Sequence, residues 1–401
     1  MISIYTLTSP LHDKAAVDAS SKEFLDSLGI EYDFKGDDFN DYGFDLSLIY
    51  VRTGGTEGIF KDLFPTLQSL SHQTFLLLAS GKANSLAASM EILSWLRGMD
   101  IRGEILHGSQ EYVRSRLVAL EKVEGARRKM EFTTLGVVGA PSDWLIASGV
   151  DRDAVQDRIG IFFQDIPMEE LLHEYSGIPE DFLAARDSVG EAFMGIPTKV
   201  KEAVPGAYRL YLALRNIARD YGLSGLTVRC FDLLTTVRNT GCLAMAKLNS
   251  EGIVAGCEGD IPALLSMMVG RAVTGVSGFQ ANPSSIDPET GEMVFSHCTI
   301  PLDMVSDFKL DTHFESGIGV GIRGCFPEGP VTVFKVSGDL SRHFVAEGRL
   351  LRNESKPDLC RTQVVVQLPG EAIRYFLTDP IGNHHILFPG HHASEIESLL
   401  K

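Results

Sequence analysis

The sequence has no excess of basic residues: 36 lysines and arginines stand against 53 aspartates and glutamates, a formal net charge of −17. A phosphate backbone or an anionic bilayer requires a basic surface, so nucleic acid and charged membrane are excluded as partners. Long apolar runs are missing as well. The longest, such as Phe75–Ala79, fall far short of the ~20 residues that span a bilayer. The first residues, Met-Ile-Ser-Ile-Tyr-Thr-Leu, carry neither a basic n-region nor an extended apolar stretch, so no secretory signal is expected. Six cysteines are scattered from Cys230 to Cys360 without a C-x-x-C pair, which predicts reduced, mostly buried thiols in the cytoplasm. There is no internal repeat and no low-complexity segment. What remains is ordinary globular composition, 401 residues with 44% hydrophobic and 22% charged, enough for two or three domains.

The first third alternates strand and helix. Ile2–Leu7, Asp45–Val51, Phe75–Ala79 and Ile101–Leu106 read as strands; Lys14–Leu28, the Ile59/Leu63/Leu67/Leu70 stripe and Leu86–Leu96 read as helices. Such alternation favours a doubly wound parallel sheet, whose ligands bind at the carboxyl ends of strands. The loop Arg52-Thr53-Gly54-Gly55-Thr56 lies at such an end, although on its own it reads better as a plain strand-to-helix turn whose glycines supply unusual backbone angles. After the charged helix Glu111–Lys129 the pattern restarts. Thr134–Val138, Arg158–Phe163, Leu226–Cys230 and Ile253–Cys257 are strand elements, interleaved with helices at Tyr208–Tyr221, Thr235–Leu248 and Ile261–Val273. Beyond Asn282 the alternation gives way to short strands with Gly/Pro turns, the mark of an antiparallel β domain. The expected fold is therefore α/β, two doubly wound parallel-sheet domains (1–131 and 132–275) followed by a C-terminal antiparallel β domain (276–401).

The chemistry-bearing residues cluster late. The strand Ile253–Cys257 ends in Glu258-Gly259-Asp260, two carboxylates placed for metal binding or acid/base work. Ser296-His297-Cys298 closes one strand and Gly382-Asn383-His384-His385 opens another. Carboxylate plus imidazole suits Mn²⁺, Fe²⁺, Co²⁺ or Zn²⁺.

Cys257-Glu258-Gly259-Asp260-Ile261 through Thr274-Gly275, then Phe279-Gln280-Ala281-Asn282 and Phe295-Ser296-His297-Cys298, resembles the active-site segment of L-fucose isomerases. Gly382-Asn383-His384-His385, followed by Pro389-Gly390-His391, is similar to the C-terminal histidine motif of that superfamily, which also includes the L-arabinose isomerases. The resemblance implies a metal-dependent aldose–ketose isomerase acting through an enediol on a sugar or sugar-like polyol. It implies a divalent ion, Mn²⁺ first, held by Glu258 and His384, with His297 the nearest counterpart of the arabinose enzymes' further histidine and His385 competing with His384. It also implies a homotrimer or homohexamer. The family's aspartate is replaced by Asn282. An amide oxygen can ligate a hard cation but brings no charge and cannot act as a base. Glu258, Asp260 and Asn282 are the residues expected to act on substrate; Glu258, Asn282, His297 and His384 are those expected to hold the metal. Asp260 or Asp232 could supply the missing carboxylate. The substitution admits a rival enzyme, a lyase, epimerase or decarboxylase sharing the enediolate chemistry, and a non-catalytic sugar-binding protein.

Each residue also has a structural explanation. Glu258 and Asp260 fit a helix N-terminus, where Asp is a favoured cap. Asp232 reads as structural, His297 as a possible core histidine, His313 and Glu315 as a solvated turn, His391 and His392 as exposed, and Trp95 and Trp144 as packing aromatics.

Overall fold

The computed structural model describes residues 1–71 and 74–400. They form two compact units, Met1–Gly125 and Ala126–Lys401.

The first unit is a five-stranded parallel sheet: β1 (Ile2–Leu7), β2 (Tyr32–Gly36), β3 (Leu46–Val51), β4 (Phe75–Ala79) and β5 (Gly103–Leu106), in the order β2-β1-β3-β4-β5. Its strands read as continuous apolar runs because both faces are covered. Tyr5, Leu7, Ile49 and Val51 pack in one layer with Phe60, Phe64 and Leu67. Ile2, Ile4, Leu46 and Leu48 pack in the other with Leu25, Leu28 and Leu117. The helices are α1 (Lys14–Ser27), α2 (Glu57–Leu70), α3 (Ser85–Gly98) and α4 (Gln110–Met130). Strand β2 is not apparent in the sequence because it is an edge strand, only partly covered, with the composition Tyr-Asp-Phe-Lys-Gly.

The second unit opens with a four-stranded parallel sheet, β6 (Thr134–Val138), β7 (Phe162–Ile166), β8 (Gly225–Val228) and β9 (Val254–Cys257), in the order β7-β6-β8-β9. The element expected at Arg158–Phe163 is divided: Gly160, at φ +71°, ends the helix Arg152–Ile159, and the strand begins only at Phe162. The helix expected over Thr235–Leu248 is likewise two, Asp232–Thr236 and Cys242–Ser250. Between them Asn239 Nδ2 donates to Ala203 O at 2.8 Å and Thr240 Oγ1 to Val320 O at 2.7 Å. These tertiary bonds outbid the helical register there. The helix expected at Tyr208 starts ahead of it, at Thr198, with Pro205 inside.

The remainder is antiparallel. Strands β10 (Phe279–Ile286), β11 (Glu292–His297), β12 (Asp307–Asp311), β13 (Gly321–Cys325), β14 (Gly329–Val336), β15 (His343–Asn353), β16 (Thr362–Gln367) and β17 (His385–Pro389) follow in chain order. Six of them close a barrel, β10-β11-β16-β15-β14-β17, while β12 and β13 form a separate ribbon. Phe279, Phe295, Val333, Val364 and Leu387 fill a common core with Val204 and Leu243 from helices of the preceding sheet. The fold is thus α/β with two parallel sheets, followed by an antiparallel barrel, as the patterning implies. Two late helices, Gly370–Thr378 and Ala393–Leu400, are additions to that expectation.

All six cysteines are free thiols; Cys242, Cys257 and Cys298 are buried, Cys325 is exposed and the other two are intermediate. No helix among the described residues is long and apolar enough to cross a membrane.

Candidate metal centre

The site begins where β9 runs out. Glu258 is the next residue and adopts φ +67°, followed by Gly259 at φ +69°. A left-handed glutamate costs about 1–2 kcal/mol, so the neighbourhood must hold it. Ser142 N–H donates to the Glu258 carbonyl at 3.0 Å, and Gly259 N–H to Val228 O at 3.0 Å. Gly259 passes so close to the β6 loop that a Cβ there would lie 2.5 Å from Ala140 O, which only glycine avoids. The carboxylate is therefore carried by a backbone reversal wedged against the carboxyl end of the sheet. From the barrel side, Gln280 on β10 clasps the same strand end, its Oε1 accepting from Cys257 N–H at 2.8 Å.

Three side chains converge. Glu258, His297 and His384, all buried, offer ligand atoms within 4.8 Å of one another. Glu258 Oε1 lies 3.6 Å from His297 Nε2 and 3.5 Å from His384 Nε2. Among the described residues, His384 Nε2 and His297 Nδ1 are buried without a well-formed hydrogen bond. A buried polar atom left so is costly, and one carboxylate oxygen plus two imidazoles is a donor set suited to a borderline divalent cation. The residues fit a metal.

Behind this triplet stands Asp260, completely buried. Its Oδ1 accepts from Ala263 N–H at 2.8 Å, capping the helix Ile261–Thr274. Its Oδ2 lies 2.8 Å from His384 Nδ1 and 3.5 Å from Lys335 Nζ. A carboxylate holding the far nitrogen of a metal-facing histidine fixes its tautomer and raises its basicity. With both oxygens so engaged, Asp260 is a positioning residue, and the expectation that it acts directly on substrate finds no open oxygen here.

Sequence reasoning placed His384 ahead of its neighbour, and the geometry separates the two. His385 is committed on both sides: Nδ1 pairs with Asn383 O at 3.0 Å and Nε2 with Tyr375 Oη at 3.0 Å. The Asn383 carbonyl can only accept, so Nδ1 carries the proton and, in the neutral ring, Nε2 accepts from Tyr375 Oη–H, which itself accepts from Ile381 N–H at 2.8 Å. Burial, first, pushes the His385 pKa down to about 3.

Asn282 sits on β10 opposite Ser296, the residue before His297. Its Oδ1 accepts from Asn383 Nδ2 at 3.1 Å, so the amide bridges the stretches carrying the two histidines. Ligation through Oδ1 would compete with that bond. Asp232 is bound to Arg229 at 3.2 Å, as a structural residue would be.

Three residues escaped the sequence reading. Trp144, expected to be a packing aromatic, donates Nε1–H to Glu258 Oε2 at 2.7 Å and stacks edge-on with Phe231. His313, expected in a solvated turn, is buried, packs against the same Phe231 and bonds Ser316 at 3.0 Å; burial foremost holds its pKa down near 4. Lys335 is buried on β14 inside Val331–Val336. Burial depresses its pKa, against the pull of Asp260.

The charges interlock. Burial would raise the Glu258 carboxyl, but His297 and His384 overcome it and hold it far below the usual range. Burial likewise opposes ionisation of Asp260, yet Lys335 and His384 bring it to about 2. Burial would lower His384, but Asp260 and Glu258 raise it to about 9. A group raised in the folded state gives stability that is complete below its unfolded pKa, ~6.5, and lost as pH climbs through the folded value. Metal-stripped protein should therefore lose up to about 3 kcal/mol between pH 6.5 and 9. In metal-loaded protein a cation replaces the His384 proton, so the gap in Tm between loaded and stripped samples should widen over that interval. A constant gap in thermal melts would show that His384 carries no such proton.

No protein-family model matches the chain. It is similar to curated proteins named sulfoquinovose isomerase. It is 25% identical to the one from Clostridium sp. (strain MSTE9) over 312 residues, 73% of this chain and 68% of that one. The match to the Alkalicoccus urumqiensis protein is 23% over 188 residues, 46% of this chain and 42% of the relative. With the Priestia megaterium protein it is 22% over 272 residues, 66% and 60% of the two chains. The last two relatives are thus matched over less than two thirds of their own length.

Proposed function

We propose that this chain is a metal-dependent aldose–ketose isomerase, with the centre formed by Glu258, His297 and His384. The observation that carries the reading is their buried convergence within 4.8 Å, in a chain similar to sugar isomerases. Glu258 and His384 would hold the ion with His297, and Asn282 would serve as a neutral fourth group at the expense of its bond to Asn383. Mn²⁺ is the ion the fucose-isomerase resemblance suggests. Bound there, a divalent cation supplies positive charge that polarises adjacent carbonyl and hydroxyl oxygens.

The chain's own residues do the rest. Through Oε2, which keeps a free lone pair beside its bond from the half-exposed Trp144, the Glu258 carboxylate takes the proton from the carbon beside the carbonyl, leaving an enediol, and returns it to the neighbouring carbon; the hydroxyl proton crosses between the two oxygens. Trp144 steadies Oε2 of that carboxylate. Asn282 contributes no base, so a single carboxylate carries the proton in both directions. Asp260 keeps His384 in the tautomer that presents Nε2.

The names of the relatives make sulfoquinovose the first substrate to assay, alongside unsubstituted pentoses and hexoses. Metal-replete protein should exchange the substrate C–H with D₂O and form ketose. Asn282→Asp should bind metal more tightly and exchange at least as fast, because it restores an anionic group. If exchange collapses while metal tightens, the amide serves a different enediolate reaction, and simple isomerisation is wrong. Absence of exchange in both proteins would point to sugar binding without catalysis. The reading includes a homo-oligomer, trimer or hexamer, in the cytoplasm; a monomer by light scattering at micromolar concentration would remove that part.

A further inference from the structure

A cavity of about 1100 Å³ lies elsewhere, in the first unit. It opens at the carboxyl ends of β1 and β3, between α1 and α2. In the strand order β2-β1-β3-β4-β5 the connections reverse direction between β1 and β3, and open α/β sheets bind ligands at that reversal.

The lining is a built site rather than a gap. Arg52, just past β3, faces the cavity although its side chain is only 8% exposed. Its Nε donates to Thr8 Oγ1 and its Nη1 to Asp18 Oδ1, each at 2.6 Å; Nη2 has no partner among the described residues. Ser21 Oγ, on the same wall, lies beside the buried Tyr50 phenol. Ser9 N–H donates to Thr53 Oγ1 at 3.0 Å, tying the β1–α1 loop to the Thr53-Gly54-Gly55-Thr56 turn. Gly55, at φ +75°, lets that turn lie against Ser9. Helix α2 begins at that turn, and its Ile59, Asp62 and Leu63 line the cavity.

We infer that this cavity is a second small-molecule site, for a phosphorylated ring compound: a nucleoside monophosphate or a sugar phosphate. Arg52 and Lys14 supply a cationic end matched to the phosphate. Tyr32 and Phe34 on β2 supply an aromatic wall for the ring, Phe34 being 50% exposed. Asp37 and Asp62 supply acceptors for ring hydroxyls. The inference is independent of the isomerase reading, since every lining residue belongs to the first unit.

Isothermal titration of the full chain with AMP, glucose 6-phosphate, adenosine, glucose and inorganic phosphate tests it. One of the two ring phosphates should bind one per chain, at least tenfold more tightly than its unphosphorylated partner and than phosphate alone; which one identifies the source. Arg52→Gln should abolish the binding. Lys14→Glu, an exposed change that leaves the fold intact, should weaken it at least tenfold. Glu258→Gln should leave it unchanged. The inference is overturned if neither ring phosphate binds at millimolar concentration, if inorganic phosphate binds equally well, if Lys14→Glu has no effect, or if Glu258→Gln abolishes the binding.

Discussion

Glu258→Gln should leave the fold intact and the protein inactive. The amide preserves the size of the side chain and can still accept from Trp144 Nε1–H, now 2.7 Å from Oε2. What it removes is the negative charge facing His297 and His384, and the proton carrier. Loss of general acid–base catalysis alone is worth about 10²–10⁴-fold, and loss of an anionic ligand adds to it. Metal affinity should drop by on the order of 10²-fold or more, beyond the 10–100-fold typical of residues behind a ligand. Circular dichroism, metal titration and substrate C–H exchange on one preparation check this. A variant that binds metal as the wild type does would move the centre away from Glu258.

Asp260→Asn should separate two effects that the wild type combines. Asparagine is as good a helix N-cap as aspartate, so the bond to Ala263 N–H survives. The carboxylate partner of His384 Nδ1 does not, and metal affinity should fall about 10–100-fold. Lys335 would also be stranded: a buried ammonium with its counter-charge removed costs about 3–5 kcal/mol. The single variant should therefore melt markedly earlier. Adding Lys335→Met removes the stranded charge, so the double variant should recover most of the stability and none of the metal affinity. If the second change restores neither, Lys335 has another partner. If it restores both, Asp260 matters to the site only through folding.

How much of this was legible follows from which signals are local. Glu258 and Asp260 stood out because a strand ending in two acids places them at the carboxyl edge of a sheet, and periodicity finds such edges. That the pair sits at a helix N-terminus was legible too, since acids are favoured there. The grip of Asp260 on His384 was not, because the partner is 124 positions away. Trp144 was misread for the same reason, its acceptor lying 114 positions on. Lys335 could not be seen at all: a lysine within a barrel strand reads as solvent-facing, and only the closed barrel turns it toward Asp260. Strand β2 escaped because edge strands are weakly patterned, and the split of the helix after Asp232 because Asn239 and Thr240 answer to distant carbonyls. The Thr53-Gly54-Gly55-Thr56 turn was noticed, and so was its place at a strand end; the cavity beside it required the sheet order.

The closure of the barrel by its final strand has a consequence for the order of events during folding. Strand β17 pairs with β10 on one side and β14 on the other, and His384 is the residue immediately before it. Joining segments so far apart along the chain carries a loop-closure cost that only subsequent contacts repay. The parallel sheet and its left-handed glutamate can form while the C-terminal strands are still being synthesised. Glu258, His297 and His384 meet only after the segment through β17 has emerged and that strand has docked between β10 and β14. A metal held by these three residues would therefore be taken up only once β17 has docked, and a ribosome-stalled chain ending before His384 would present two of the three ligands.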